Sequence, residues 1–188
     1  ARGGGGGGVA KAPAAECGGS GIAGGVPSEN HTTVMLRNLP NNYTRAMVLA
    51  MLDEEGFRGL YDFLYLPIDF NSRACLGYAF VNLADASSVK AFWETFDGYC
   101  KWILPSRKVC RVSWSGPHQG LEAHVNRYRN SPVMHDTVPD EFKPVLFQDG
   151  VRVVFPSPTK APRAPRVRHR EAAPRAPEMA AAAFAGRR

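Results

Sequence analysis

Between Thr32 and Trp114 the spacing of apolar residues switches between the two-residue repeat of a strand and the 3.6-residue repeat of a helix. The order of those switches admits few folds. Thr33 to Leu39 is a short β-rich run stopped by Pro40 and the turn residues Asn41 and Asn42. Thr44 suits a helix N-cap, Val48, Met51 and Leu52 recur at helical spacing, and Gly56 suits the exit. Tyr61 to Leu66 is aromatic and strand-like, and a polar loop, Asp69 to Cys75, follows it. Gly77 to Leu83 is a second β-branched and aromatic run. Asp85 or Ser87 can cap a second helix, in which Val89, Phe92, Trp93 and Phe96 keep the i, i+3, i+4, i+7 rule until Gly98. Lys108 to Trp114 is a last strand. The order β-α-β-β-α-β predicts an α+β, ferredoxin-like fold, four antiparallel strands with two helices on one face.

Alternation along each strand separates two sets of side chains. Val34, Leu36, Leu64, Leu66, Ala79, Val81, Cys110, Val112 and Trp114 are expected to face the helices. Met35, Arg37, Phe63, Tyr65, Tyr78, Phe80, Arg111 and Ser113 are then left on the other face. A solvated sheet face is normally polar, so four aromatics and a methionine there point to a binding surface.

The third run carries a recognisable pattern. Leu76-Gly77-Tyr78-Ala79-Phe80-Val81-Asn82-Leu83 follows the consensus of the main strand of the RNA recognition motif (RRM), K/R-G-F/Y-G/A-F-V-x-F/Y, at five successive central positions and departs at both ends. Val34-Met35-Leu36-Arg37-Asn38-Leu39 resembles the partner signature of the same module, in the strand where it belongs. The residue types suit unpaired bases, whose π faces stack on rings held flat by a rigid sheet. Phe80 is the first candidate for a stacked base, and Tyr78 the second. Tyr65 and Phe63 extend the platform or merely pack. Arg37, Arg73 and Arg111 are candidates for phosphates or base edges, with Ser113 beside them, and Gly77 permits close backbone approach. Leu76 stands where a basic residue is usual, which removes one charge-assisted contact. Met35 stands where an aromatic is usual and offers a polarizable sulfur instead.

Read at full length, Thr32 to Pro40, Tyr61 to Asp69, Gly77 to Asn82, Gln119-Gly120-Leu121, Asn130 to Met134 and Lys143 to Phe147 resemble the C-terminal RRM of the Mei-two-like proteins. The resemblance implies single-stranded RNA as the partner, a post-transcriptional regulator of meiosis or development, and a family in which methionine at position 35 is typical. Longer members of that family carry further RRMs upstream, and none is legible here.

The expected organisation is a Gly-rich disordered tail (1–31), an RRM (32–116), an extension (117–155) and a disordered basic Pro/Ala/Arg tail (156–188). In the extension Leu121, Val125 and Tyr128 are spaced for one face of a short helix that packs across the sheet or covers its edge. Val145 to Phe147 and Val151 to Phe155, joined through Asp149-Gly150, suggest a small hairpin. The sequence begins at Ala1 rather than a methionine, as a piece of a longer protein would.

Charge narrows the mode of binding. The net +6 falls entirely in residues 156–188, while residues 31–155 carry 13 basic and 13 acidic side chains. A basic arm attracts phosphate without reading sequence, and serves equally as a solubilising tail or an import patch. Recognition by the neutral folded part must therefore rest on particular groups. Cys17, Cys75, Cys100 and Cys110 lack short paired spacings, which argues against a zinc site and a disulfide framework. No apolar run has the length of a membrane span, so the chain reads as intracellular and soluble, in the nucleus, the cytoplasm or both. His31, His118, His124, His135 and His169 show no nucleophile or carboxylate partner and no ligand spacing. No catalysis, metal, cofactor, membrane or small-molecule substrate is expected. The rival reading is a protein-binding module on the same fold. Leu76, Met35 and the neutral domain favour it, Tyr78 and Phe80 speak against it, and protein partners remain an expectation beside RNA.

Overall fold

A computed structural model describes residues 30–165. Residues 1–29 and 166–188, which hold most of the two tails expected to be disordered, lie outside the described residues. The element order is β1 (Thr33–Arg37), α1 (Arg45–Glu54), β2 (Tyr61–Tyr65), β3 (Tyr78–Leu83), α2 (Ser87–Phe96), β4 (Arg111–Trp114), α3 (Leu121–Tyr128), β5 (Val145–Gln148) and β6 (Val151–Val153). Every strand pairing is antiparallel, in the order β4-β1-β3-β2-β5-β6. The first four strands with α1 and α2 form the ferredoxin-like unit, and the hairpin extends its sheet by two strands.

Local chemistry sets the boundaries. The Thr44 hydroxyl accepts from the Met47 amide at 3.2 Å and starts α1. At α2 the Asp85 carboxylate accepts from the Ser87 amide at 2.7 Å, so the cap comes from Asp85 rather than Ser87. The last strand is shorter than the run from Lys108 suggests. Cys110 bonds back to Gly98 and Tyr99 instead of joining the ladder, and β4 starts only at Arg111.

Val48, Met51 and Leu52 of α1 and Val89, Phe92 and Phe96 of α2 bury against Val34, Leu36, Leu64, Leu66, Ala79, Val81, Cys110 and Val112. Burying such side chains contributes ~1.5–3 kcal/mol each. Trp114 packs half-buried on Trp93, 5.0 Å between ring centroids. The β2–β3 register shifts between Tyr61 and Phe63, a bulge at Asp62. This extra residue puts both Tyr61 and Leu64 in the helix-side core, whereas strict alternation would place Tyr61 on the other face with Phe63. Cys75 and Cys110 are buried free thiols.

The extension wraps around the β2 edge. From α3 it runs through 3-10 turns at Pro132–Met134 and Asp140–Phe142 to the start of α1. There Arg45 donates to the Lys143 carbonyl (2.8 Å), the Asp140 carbonyl and the Asp140 carboxylate (2.7 Å). Arg152 holds the same carboxylate from the other side, at 2.5 and 2.9 Å. The hairpin turns on Asp149 (φ 51°) and Gly150 (φ 75°), the two positive φ values that a two-residue turn of this hand requires. A side chain at position 150 would begin 3.3 Å from the Gly59 amide, so the turn docks backbone to backbone. The structured extension outlasts Phe155, the boundary expected from composition. Arg129 donates to the Ser157 carbonyl and the Asn130 side chain binds Thr159 and Lys160, because the end of α3 offers polar groups to that segment.

Candidate nucleic-acid interface

Strand register sorts the face opposite α1 and α2 into three cross-strand rows. One is Ser115-Thr33-Asn82-Phe63, the next Ser113-Met35-Phe80-Tyr65, and the last Arg111-Arg37-Tyr78.

The first row is closed. Ser115, Thr33, Asn82 and Phe63 are all buried, and α3 lies over them. Its entry is pinned by Gln119, whose side-chain amide behaves like a neighbouring peptide unit. Oε1 accepts from the Thr32 (3.2 Å) and Thr33 (2.9 Å) amides, and Nε2 donates to the Thr33 (2.7 Å) and Ser115 (2.8 Å) carbonyls. The Thr33 hydroxyl accepts from the Gly120 amide (2.9 Å) and donates to Asn82 Oδ1 (2.7 Å). Asn82 Nδ2 then donates to Asp62 (2.8 Å). Burial raises the Asp62 pKa, and that hydrogen bond partly offsets it. These buried donors and acceptors satisfy one another, so the start of α3 is a fixed wall.

Leu121, His124, Val125 and Tyr128 share one helical face, and its most buried member is His124, at 2 % exposure. Its ring lies 5.0 Å from Phe63 and 5.7 Å from Phe80. Nε2 is 3.3 Å from the His118 carbonyl, which can only accept, so the neutral ring carries its proton there and leaves Nδ1 bare and unpartnered. Desolvation lowers the His124 pKa. Tyr128 stacks on Phe63 at 5.9 Å and leans on Tyr65 at 4.6 Å, and burial pushes its phenol up to about 12.

The other two rows are open. Met35, Phe80, Tyr65, Ser113 and Tyr78 are half-buried, and Arg37 and Arg111 are exposed. The Tyr78 and Phe80 rings stand 5.7 Å apart and nearly perpendicular. Arg111 reaches Asp97 at 3.6 Å. Ser113 Oγ is buried with no hydrogen-bond partner.

Eight of the nine sequence candidates thus share this face, Phe63 beneath α3 and the other seven within reach of solvent. Arg73 stands apart, exposed in the β2–β3 loop at φ 56°, where it lines a cleft with Thr44, Ile68 and Phe142. Of the two readings of the Leu121, Val125 and Tyr128 face, packing across the sheet holds for Tyr128, and the part of His124 in that roof was missed, although its i, i+4 spacing to Tyr128 was a signal. Sequence reasoning also overlooked Lys108, whose proximity to Gly77 has no local signature.

The model of the RNA recognition motif 2 family matches residues 31–129, more than half of the chain. The chain belongs to that family. The match ends one residue past α3, so the roofing helix lies within the family module. MEI2-like protein 4 of Arabidopsis thaliana is 40% identical over 120 residues, which are 63% of this chain and 13% of that protein. Protein terminal ear1 of Zea mays is 37% identical over 147 residues, 69% of this chain and 22% of that one. The chain therefore spans less than a quarter of the length of these relatives. Among solved structures, the Rna15 RRM with bound RNA (GU) has a TM-score of 0.41 at 19% identity, covering 54% of this chain and 97% of that one. RNA recognition domains 1 and 2 of Sex-lethal from Drosophila melanogaster give 0.37 at 21%, covering 46% and 50%. Among the described residues of this RRM 2 chain, no group of three or more His, Cys, Asp or Glu is placed to hold a metal ion. No described helix is long and apolar enough to cross a membrane.

Proposed function

We propose that this RRM 2 chain binds single-stranded RNA on the two open rows of its sheet, with Phe80 and Tyr78 as stacking rings and Met35 between the strands. The observation that carries the reading is the state of those two rings. They sit in the motif strand, half-buried rather than sealed, on a face that α3 roofs only from the Phe63 end. Tyr65 forms the border of the platform against Tyr128, and Phe63 supports α3 rather than meeting a base. Arg37 lies beside Tyr78 on β1, with Arg111 beyond it on β4, and Ser113 adjoins Met35. Arg73 lies outside this site. The reading is one of binding without turnover.

The similarity to MEI2-like proteins supports a further reading as a post-transcriptional regulator of the Mei-two-like kind, acting in meiosis or development, in the nucleus, the cytoplasm or both. A protein-binding use of the fold keeps one observation in its favour, the half-exposed Leu76 beside the platform.

The deciding experiment is a titration with a randomised single-stranded RNA ten-mer pool. Each stack contributes ~1–3 kcal/mol, so Tyr78→Ala with Phe80→Ala weakens binding roughly 30-fold or more. Unchanged affinity in a variant whose circular dichroism shows it folded would remove the RNA reading and leave the protein-binding one.

A further inference from the structure

The platform lacks one charge. Position 76 is a half-exposed leucine where the motif's consensus has lysine or arginine. A cation nevertheless arrives beside it from another element. Lys108, on the segment leading into β4, places Nζ 4.0 Å from the point where a side chain on Gly77 would begin. Gly77 has a φ of +81°, which L side chains rarely adopt, and its missing side chain leaves the backbone open to close approach.

Lys108 Nζ donates to the Leu39 carbonyl (2.9 Å) and to Asn41 Oδ1 (2.6 Å). Both acceptors are neutral, no acidic side chain pairs with Lys108 among the described residues, and an ammonium has a third N–H to give. Arg37 stands nearby with no acidic partner among the described residues. It faces Arg111 directly across the β1–β4 ladder, a like-charge pairing that destabilises a sheet. Arg111 turns to Asp97, and Arg37 has no such outlet. Arg37, Asn38, Leu76, Gly77, Tyr78 and Lys108 line a single concavity next to the Tyr78 ring. In a folded region with as many acidic as basic side chains, two cations without an acidic partner among the described residues meet from separate elements at one corner of the aromatic platform.

The geometry points to this corner as a phosphate subsite, in which Lys108 and Arg37 together hold the RNA phosphodiester next to the base on Tyr78, replacing the contact that Leu76 cannot make. The inference rests on the RNA reading and adds to it the residues that position the backbone. Lysine supplies a point charge and arginine a two-pronged donor.

The test uses the whole 188-residue chain and the randomised RNA ten-mer pool, titrated at several salt concentrations. For single strands the slope of log affinity against log salt changes by ~0.7 for each phosphate contact. Lys108→Gln and Arg37→Gln should each flatten the slope by about that amount, and Lys108→Arg should retain it. Arg37 makes no side-chain hydrogen bond within the described residues, so its substitution tests the corner even if Lys108→Gln loosens the Leu39–Asn41 turn. Lys90→Gln, on α2 behind the sheet, should leave the slope alone. Wild-type slopes for both Gln variants, with binding still lost on removing Tyr78 and Phe80, would overturn the subsite and spare the RNA reading. Equal flattening by Lys90→Gln would overturn it as generic charge. If the Tyr78 and Phe80 variant binds like the wild type, the platform falls and the subsite with it.

Discussion

Replacing Gln119 tests whether α3 is a fixed wall or a mobile lid. The side chain makes four hydrogen bonds, two as acceptor and two as donor, to backbone groups of Thr32, Thr33 and Ser115. A hydrogen bond contributes about 1 kcal/mol net, and a buried group left without a partner costs ~1–3 kcal/mol. Thr33 and Ser115 are buried, whereas Thr32 is half-buried and can recruit water. Gln119→Ala should therefore destabilise the domain by about 2–4 kcal/mol, a fall of roughly 1–2 M in the urea midpoint at ordinary denaturant sensitivity. Gln119→Glu keeps the size but sets a carboxylate oxygen against the Thr33 and Ser115 carbonyls where an N–H stood. It should be at least as damaging as alanine. Hydrogen exchange should show the added opening concentrated in Leu121–Tyr128. If glutamate proves milder than alanine, or both shift stability by less than ~0.5 kcal/mol, α3 is not held at this point.

Two further outcomes follow from titrating groups. His124 is buried neutral with a pKa below its ordinary value, so the unfolded chain binds the proton more readily. Stability should fall as pH drops through the ordinary histidine range near 6.5 and should be retained above it, and His124→Phe should flatten that part of the pH–stability curve. Asp140 is the opposite case, its carboxyl held well below the usual range by hydrogen bonds from Arg152 and then Arg45. Its contribution is present above pH ~4 and lost as acid protonates it. Because the carboxylate is 60 % exposed, Asp140→Asn should cost only about 1 kcal/mol at pH 7, read as a small loss of melting temperature that disappears in acid.

The two-period pattern from Thr32 to Trp114 made the strand and helix order legible, because each element has a clear repeat and a stop at Pro40, Gly56 or Gly98. The face assignments at Met35, Phe80 and Tyr78 followed from alternation alone. Tyr61 shows the limit of that reasoning. The extra residue at Asp62 reverses parity, and a bulge has no signature in a run of aromatics. The Asp149-Gly150 turn was visible as a hairpin, but its pairing with β2 was not. That contact depends on Arg45 and Asp140, 95 positions apart, and on two glycines meeting backbone to backbone. His124 was hidden by its polarity. Nothing local says that a histidine will spend its single proton on the His118 carbonyl and then pack, tilted, between Phe63 and Phe80.

The roof over Phe63 also bears on how such a surface survives in solution. A folded region with 13 charges of each sign has little self-repulsion to keep copies apart, and bare aromatic area promotes association under those conditions. By withdrawing Phe63 entirely and crowding Tyr65 with Tyr128, α3 leaves solvent only the ring area that a short stretch of nucleotides can cover. One eight-residue helix thus limits how much ring area the sheet shows to solvent.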